Sequence, residues 1–386
     1  MKGFHASVAI LGILLMAALS TSVAGQNVSV GSRMDGMHLF DRETFGGNGR
    51  TCLTCHSRET GTVSPDDARR RLATNPADPL FLHDGSDDGE GNGATRMLAD
   101  ATVLMQVPLA DNVRVADDPL FRTVTLRRGI PTTLNTPALD PVLMVDGRQP
   151  SLEAQAAGAI HDHAQATVAP SAQQLQRVRE FQMTDAFFSS PEVMAFARGG
   201  TAPALPPGTT SAEQRGRRFF EDVIDFEDAK HGACAACHAG PMLNETNLFF
   251  ELITGVPRGT RFQSILVSEL NMARNPVREF IFTNRDGSEA HLWSPDPGRA
   301  LITGVGIESG RLDNVNAFKI SPLWGVAKTA PYFHDNSAKT LEAVMEHYAT
   351  FFAIVTDPDG PGPIPPGIAL TPQDQADIVA FMKLLR

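Results

Sequence analysis

Two short motifs contain all four cysteines of the chain, and they decide which chemistry it could perform. The motifs read CLTCH and CAACH, and their reactive residues are Cys52, Cys55, His56, Cys234, Cys237 and His238. The C-x-x-C-H spacing is that of covalent haem attachment, in which two thiols reach the two vinyl groups at one edge of a porphyrin. The adjacent imidazole then turns under the ring to ligate the iron. We therefore predict two covalently bound haem c groups, with His56 and His238 as iron ligands.

Three other interpretations of the cysteines fit less well. Paired C-x-x-C motifs of a zinc site are normally about 15–20 residues apart, whereas nearly half of this chain separates Cys55 from Cys234. A thioredoxin-like redox motif would lie in a βαβ pattern, which the flanking sequence does not show. Disulfides between such close neighbours would constrain almost nothing.

Composition excludes several broad classes of protein. The chain has 386 residues, a net charge of −11, 42% hydrophobic residues and 20% charged residues. This is too apolar for a disordered chain and long enough for two or three domains, at roughly 100–200 residues each. The acidic balance and the lack of a Lys/Arg block argue against nucleic acid as a partner. A basic protein partner or a neutral small substrate suits this charge better.

The first residues have the pattern of an export signal. Lys2 precedes an apolar run from Val8 to Leu19, and Ser22 and Ala24 then provide small residues where a signal peptidase reads. A membrane anchor is the alternative, but the run is shorter than the roughly 18 residues that a span needs. We predict a signal peptide at residues 1–24, cleaved near Ala24, and a periplasmic mature chain without a membrane span.

The positions of the motifs predict a mainly α fold of two tandem cytochrome c-like haem domains with long loops. The N-terminal haem domain covers residues 32–201, a Pro/Gly/Thr-rich linker covers 202–210, and the C-terminal haem domain covers 211–386. Residues 211–214 (SAEQ) resemble a capping box that opens a helix, and Thr371-Pro372 predicts the start of the last helix. Residues 84–93 (DGSDDGEGNG) form an acidic loop, which does not match the EF-hand spacing and favours a solvated loop over a calcium loop.

With these residues in view, the sequence resembles the bacterial di-haem cytochrome c peroxidase and MauG family. The resemblance covers nearly the whole mature chain and rests on residues 45–52 (FGGNGRTC), 129–135 (GIPTTLN), 146–155 (DGRQPSLEAQ), 296–304 (DPGRALITG) and 318–348. It implies that the haem of the N-terminal domain reacts with peroxide. It also implies that the haem of the C-terminal domain is six-coordinate and passes electrons.

The family pattern also indicates the distal ligand of the second haem. Tyr348 stands at the axial position, counted from His334 in the PYFHD segment. Many peroxidases have methionine there, whereas MauG-like members have tyrosine. A tyrosinate favours ferric and higher iron states, whereas methionine raises the reduction potential. The alternative is that Tyr348 is a core residue and that Met345, one turn earlier, is the ligand. The resemblance implies a hydrogen-bonding role for His334 near this haem.

Two departures from the family pattern concern electron and proton transfer. The interhaem tryptophan is replaced by Val145, and Trp324 could serve instead or could simply pack in a core. The distal glutamate, expected ten residues after Gln155, is Gln165, whose amide cannot accept the proton that moves during peroxide cleavage. His161 and His163 lie just before it and could supply the base, or either could ligate the first iron and close it.

A third departure concerns an interdomain calcium ion. The family offers an asparagine where this chain has Gly129, while Thr329 and Pro331 match the remaining positions. The resemblance therefore leaves calcium open, with Thr329 and Pro331 as its candidate ligands.

These residues support three hypotheses about function. The first is an exported di-haem peroxidase that reduces hydrogen peroxide with electrons from a small redox protein, a cytochrome c or a cupredoxin. The second, favoured by Tyr348, is MauG-like oxidation of a partner protein or an organic substrate. The third, favoured by Gln165, is a non-catalytic di-haem electron carrier in which His161 or His163 closes the first iron. The candidate catalytic residues are His163, His161, Gln165 and Gln155.

Overall fold

The computed structural model describes residues 30–135, 137, 139–225, 227–306, 313–357 and 368–386. The predicted signal peptide, residues 1–24, lies outside these ranges. Among the described residues, no helix has the length and apolar character that crossing a membrane requires.

Helices provide most of the regular structure in the described ranges. They are α1 (Val30–Asp41), α2 (Cys52–Cys55), α3 (Pro65–Thr74), α4 (Thr95–Asp100), α5 (Leu152–Asp162), α6 (Ala172–Thr184), α7 (Pro191–Ala197), α8 (Ser211–Arg218), α9 (Leu248–Thr254), α10 (Val267–Leu270), α11 (Ala300–Thr303), α12 (Leu341–Val355) and α13 (Pro372–Met382). Short 3₁₀ turns lie at Pro79–Phe81, His83–Gly85 and Val326–Lys328. Long loops join these helices, as the sequence predicts.

Polar caps fix where several helices begin. Thr371 accepts a hydrogen bond from the backbone of Asp374 and precedes Pro372, so the predicted start of α13 is confirmed. The capping box of α8 is formed by Thr210 and Glu213, one residue earlier than the SAEQ pattern suggests. The correction is small, because Thr210 and Ser211 are both residues that can cap a helix.

The strands are the part of the fold that the sequence analysis missed. They are β1 (Thr102–Pro108), β2 (Val113–Val115), β3 (Thr123–Gly129), β4 (Phe262–Gln263), β5 (Arg278–Thr283), β6 (Glu289–Ser294) and β7 (Phe318–Lys319). They form antiparallel sheets in the orders β1-β3, β2-β5-β6 and β4-β7. A mainly α description is therefore incomplete for the middle of the chain. Strands of two to seven residues give too few alternations to stand out in a single sequence.

The two halves of the chain share a sheet and a core. Strand β2, which precedes the predicted linker, pairs with β5, which follows it, through Val113 opposite Phe282. Buried side chains from both halves, including Met97, Val107, Phe280 and Leu301, form one cluster. The predicted domain boundaries stay a prediction, but these contacts join segments on either side of the predicted linker.

Candidate functional site

The two CxxCH motifs have the same local geometry. In each, the histidine amide donates to the carbonyl of the first cysteine, which closes a helical turn: His56 to Cys52 at 3.0 Å and His238 to Cys234 at 2.8 Å. Each imidazole places Nδ1 2.8 Å from the carbonyl five residues later, that of Gly61 and that of Leu243. A carbonyl can only accept, so Nδ1 carries the proton and Nε2 keeps the lone pair that iron needs. Both motifs are therefore arranged to ligate a haem iron.

The four cysteines are free thiols, none of them in a disulfide. Burial above all raises the pKa of Cys52, Cys234 and Cys237 to about 12, so without a bound group these thiols are neutral. Over the part of the chain that the structure describes, no three or more His, Cys, Asp or Glu side chains converge where they could hold a metal ion by themselves. These observations fit a cofactor that brings its own metal.

An open, largely apolar cleft lies beside the first motif. Apolar side chains make up much of its wall, as haem would require, and they include Phe40, Phe45, Val103, Met105, Ile130, Leu143 and Ile160. Cys52, Cys55 and His56 are on the same wall. The first motif thus faces a cavity that can receive the porphyrin whose attachment its spacing predicts.

Helix α5 lines another part of this cleft. It begins at Ser151, whose hydroxyl accepts from the amide of Ala154, and it presents Leu152, Gln155, Ala156 and Ala159 to the cavity at helical spacing. His163 follows immediately as the C-cap residue and also lines the cleft. The DGR-to-Gln155 segment of the sequence resemblance therefore leads into one wall of the first site.

The structure separates the four candidate catalytic residues into two groups. Gln155 and His163 line the cleft. The side chain of His161 is 85% exposed and its Nδ1 is 2.7 Å from the neighbouring carboxylate of Asp162. Gln165 is exposed, and its Oε1 accepts a hydrogen bond from Asn48 at 3.2 Å. Only the first group is placed to contact a molecule bound beside the motif.

A buried carboxylate orients His163. Nδ1 of His163 is hydrogen-bonded to Oδ2 of Asp84, and the other Asp84 oxygen pairs with Arg50. Burial raises the pKa of Asp84, but its hydrogen bond to His163 and the charge and hydrogen bond of Arg50 outweigh it and leave this pKa below its usual value. Asp84 is therefore a carboxylate that can only accept the Nδ1 proton. Nε2 is the ring nitrogen of His163 without a partner among the described residues.

Asp84 is the functional residue that sequence reasoning overlooked. It is the first residue of the acidic loop, which the sequence presents as one solvated unit. In the structure Asp84 is buried, while Asp87 and Asp88 accept hydrogen bonds from backbone amides of Thr95, Arg96, Glu90 and neighbouring residues. The carboxylates of Asp87 and Asp88 thus stabilise the conformation of the loop. Nothing in the composition of this segment indicates that Asp84 is buried.

Basic side chains also reach the first cleft. Arg128, Arg148 and Lys319 line it, and each is already paired with a buried carboxylate. Arg128 bonds Asp146 at 2.5 Å and also Asp296, from the other half of the chain, at 2.7 Å. Cations that line the cleft suit the two propionates of a haem.

The second motif faces Tyr348 on helix α12. Burial raises the pKa of Tyr348 well above its ordinary value, and the nearby thiols of Cys237 and Cys234 raise it further. Tyr348 packs against the same core cluster as Cys234, and its ring neighbours include Phe333, Phe351 and Phe352. Because a buried phenol stays neutral at ordinary pH, only a cation such as iron would make it a tyrosinate here.

Met345 and Trp324 belong to the core cluster beside the second motif. Met345 is 3% exposed, and Tyr348 and Cys234 pack against the same cluster. Trp324 belongs to the same cluster and donates from Nε1 to the carbonyl of Pro241 at 2.8 Å, so it has a packing role in the second half of the chain. His334 lies against Asp296, with Nε2 3.7 Å from its carboxylate, on the side of the first cleft.

The candidate calcium positions are engaged in local contacts. The hydroxyl of Thr329 donates to the carbonyl of Val326 at 3.2 Å, and Pro331 follows a cis peptide bond. The amide of Gly129 donates to the carbonyl of His334 at 2.7 Å, and any side chain at Gly129 would collide with that of Asn336. Calcium binding at Thr329 and Pro331 stays a prediction.

Comparison with known proteins gave matches among solved structures alone. No family model and no curated protein matches the chain. A MauG-like protein associated with microbial copper homeostasis aligns at 19% identity and a TM-score of 0.48, over 94% of this chain and 90% of that one. The diheme peroxidase BthA from Burkholderia thailandensis aligns at 15% identity and a TM-score of 0.45, over 92% and 86%. Kuenenia stuttgartiensis hydrazine synthase aligns at 14% identity and a TM-score of 0.36, over 83% and 92%.

Proposed function

We propose that the protein is an exported di-haem c-type oxidoreductase that reduces hydrogen peroxide in the first cleft. The observation that carries this proposal is the pairing of His163 with Asp84 in the cleft that also contains Cys52, Cys55 and His56. Electrons would enter at the second motif from a small redox protein, a cytochrome c or a cupredoxin. The net reaction consumes one peroxide, two electrons and two protons and yields two waters.

The residues of the first motif would hold the haem. Cys52 and Cys55 would form the thioether bonds, and Nε2 of His56 would ligate the iron, since its Nδ1 is bound to a carbonyl. When bound, the haem supplies a site for peroxide and the electrons that cleave it. The remaining steps belong to side chains of the cleft.

His163 is placed to move the proton. Heterolytic cleavage of peroxide requires that a proton leave one oxygen and arrive at the other, departing oxygen. With its own proton on Nδ1, His163 can accept the peroxide proton at Nε2 and then deliver it to the departing oxygen. Gln155, in the same cleft, can orient peroxide through its amide but cannot accept a proton. His163 thus takes the role that Gln165 cannot fill.

The same geometry supports a second candidate function. A histidine that ligates a metal usually donates a hydrogen bond from its other ring N–H to a carboxylate, as His163 does to Asp84. If His163 closes the first iron, the protein is a di-haem electron carrier. The two functions differ in whether the first haem binds an added ligand.

The test uses the purified holoprotein and three single variants. Two haems per chain, a high-spin ferric component and a spectral change on adding hydrogen peroxide are expected, together with peroxide consumption by the reduced protein. We expect His163→Ala to slow consumption by about 10²–10⁴-fold, the usual contribution of a general acid–base residue. His161→Ala and Gln165→Ala are the matched controls, since both side chains lie outside the cleft. A wild-type protein with no high-spin haem and no response to peroxide would contradict the peroxidase and support the carrier.

A further inference from the structure

We propose that Asp84, clamped by Arg50, is a positioning residue that keeps the proton of His163 on Nδ1 and its lone pair on Nε2. This inference rests on the proposed function, because it concerns the same cleft, but it names a residue that neither the sequence motifs nor the family resemblance indicates. It also states how the imidazole is prepared before any substrate arrives.

Arg50 joins the carboxylate and the histidine into one unit. Its Nη1 pairs with Oδ1 of Asp84 and also donates to the carbonyl of His163 at 3.2 Å. The side chains of Arg50 and Asp84 are 2% and 5% exposed, so water does not compete for these contacts. A buried charged pair with further hydrogen bonds is held much more firmly than a pair at the surface.

The loop that carries Asp84 is fixed from several sides. Arg50 donates from Nε to the carbonyl of Pro79 at 2.8 Å and from Nη2 to that of Leu80 at 3.0 Å. Arg96 donates to the carbonyl of Asp84 itself at 2.8 Å. The next residue is Gly85, where a side chain would collide with the Leu80 carbonyl and with Arg50. The carboxylate is therefore presented to His163 by a packed segment rather than by a free loop.

A carboxylate at this position selects one tautomer of His163. It has no proton to donate, so the neutral imidazole must place its proton on the nitrogen that faces Asp84. An asparagine could still accept from Arg50 through its oxygen, but it would then present its NH₂ group to Nδ1. The imidazole would carry its proton on Nε2, where it could no longer accept one. The same tautomer argument explains the effect of the Asp→Asn change in serine protease triads.

The neighbouring His161 forms a similar histidine–carboxylate pair that no arginine among the described residues holds in place. Its Nδ1 is also bonded to a carboxylate, that of Asp162, but the two side chains are 85% and 59% exposed. An ion pair in such surroundings contributes little, because water and salt compete with it. Burial and the contacts of Arg50 thus distinguish the His163 pair from a common surface contact.

The experiment compares Asp84→Asn with Asp78→Asn in the holoprotein. Asp78 is the matched control, since it lies in the same loop and pairs with another arginine, Arg71. Two rates are measured, the reaction with hydrogen peroxide and the binding of cyanide followed by the haem spectrum. Hydrogen cyanide must lose its proton in order to bind, so its binding reports the base without any turnover. We expect Asp84→Asn to slow both rates by about 10²-fold or more, and Asp78→Asn to resemble the wild type.

Two further arms separate positioning from damage to the fold. In a His163→Ala background, Asp84→Asn should have almost no further effect on either rate, because Asp84 acts through the imidazole. With a peracid, whose carboxylate leaving group needs no added proton, the loss caused by Asp84→Asn should be much smaller than with hydrogen peroxide. If Asp84→Asn does not fold, Asp84→Glu replaces it, and a displaced but still accepting carboxylate should give a partial loss of both rates.

The outcomes distinguish this inference from the proposed function. A wild-type protein that ignores peroxide but binds cyanide at a rate that Asp84→Asn lowers would overturn the peroxidase and leave the positioning role intact. Equal rates for Asp84→Asn and Asp78→Asn, in proteins with native haem spectra, would overturn the positioning role. An additive loss in the His163→Ala background would overturn it as well.

Discussion

The imidazole of His334 stacks on the ring of Phe318, with centroids 3.5 Å apart and planes 8° from parallel. This contact turns His334 toward Asp296, while the preceding residue, Phe333, contacts Tyr348 at a centroid distance of 6.5 Å. Consecutive residues of the PYFHD segment therefore face different sites. Burial lowers the pKa of His334, and its Nδ1 has no hydrogen-bond partner among the described residues, so its hydrogen-bonding role near a haem stays a prediction.

Stability should depend strongly on the buried charges next to this stack. Arg128 bonds both Asp146 and Asp296, and all three side chains are at most 2% exposed. Arg128→Met would leave the buried Asp296 without its arginine partner, while Asp146 keeps Arg148, and breaking a buried ion pair in this way typically costs about 3–5 kcal/mol. Denaturant unfolding followed by circular dichroism should show this loss in the free energy of unfolding.

A surface pair provides the comparison for Arg128. Lys383 lies 3.1 Å from Glu342, and the two side chains are 55% and 59% exposed. Lys383→Ala should therefore change the free energy of unfolding by no more than about 1 kcal/mol. Equal losses in the two variants would show that the Arg128 network does not hold the halves together.

The same network should make the free energy of unfolding sensitive to acid. Burial raises the pKa of Asp296, but the charge and hydrogen bonds of Arg128 outweigh it, so the folded pKa lies below the unfolded value of about 3.9. Above that value the carboxylate is charged in both states and its stabilisation is complete. As the pH falls further, the unfolded chain takes up the proton first, and stability is lost until the folded pKa is passed. The free energy of unfolding should therefore fall more steeply as the pH is lowered through this acid range.

Substitution should remove that dependence selectively. Asp296→Asn lowers stability at neutral pH, but it should give a shallower loss between about pH 4 and the acid limit of folding. Asp111→Asn is the control, because that side chain is fully exposed and 3.6 Å from its partner Arg122. An unchanged acid slope in Asp296→Asn would mean that other carboxylates control acid unfolding.

Sequence reasoning was strongest where the chemistry is local. The CxxCH geometry lies within single helical turns, so spacing alone predicted it, and both motifs place Nδ1 on a nearby carbonyl. The start of α13 depends on Thr371, which caps an amide a few residues ahead, and this start was predicted. Such features need no knowledge of the rest of the fold.

Features that join distant segments were missed. The Asp84–His163 bond spans 79 positions, and the Arg128–Asp296 pair spans 168. Nothing in the acidic loop indicates which of its carboxylates is buried, because that is decided by Arg50 and by the return of helix α5. Pairing of β2 with β5 depends in the same way on a partner strand from the other half of the chain. A family pattern that omits such contacts cannot supply them.

The ligand of the second haem is testable by a matched pair of variants. Tyr348 and Cys234 both pack against the core cluster that contains Met345, so either side chain is a candidate ligand. Removing an anionic ligand destabilises ferric iron, so Tyr348→Phe should change the visible spectrum and raise the reduction potential by on the order of 0.1 V. Met345→Leu keeps the volume and should leave both unchanged. A spectral change in Met345→Leu alone would assign the ligand to methionine and weaken the MauG-like hypothesis.

Removing one pair of cysteines at a time should show which haem meets peroxide. Replacing Cys52 and Cys55 by alanine should leave one covalent haem per chain and abolish the spectral response to peroxide, since His163 lies in the first cleft.

Replacing Cys234 and Cys237 should also leave one haem. In that variant the ferric protein should still respond to peroxide, but turnover with a reduced cytochrome should stop, because the electron entry is lost. Haem content is measured by pyridine haemochrome and the response by stopped-flow spectroscopy. If the second pair of substitutions abolished the peroxide response and the first pair left it intact, the roles of the two sites would be exchanged, and the His163–Asp84 pair would be the orienting partner of a closed iron.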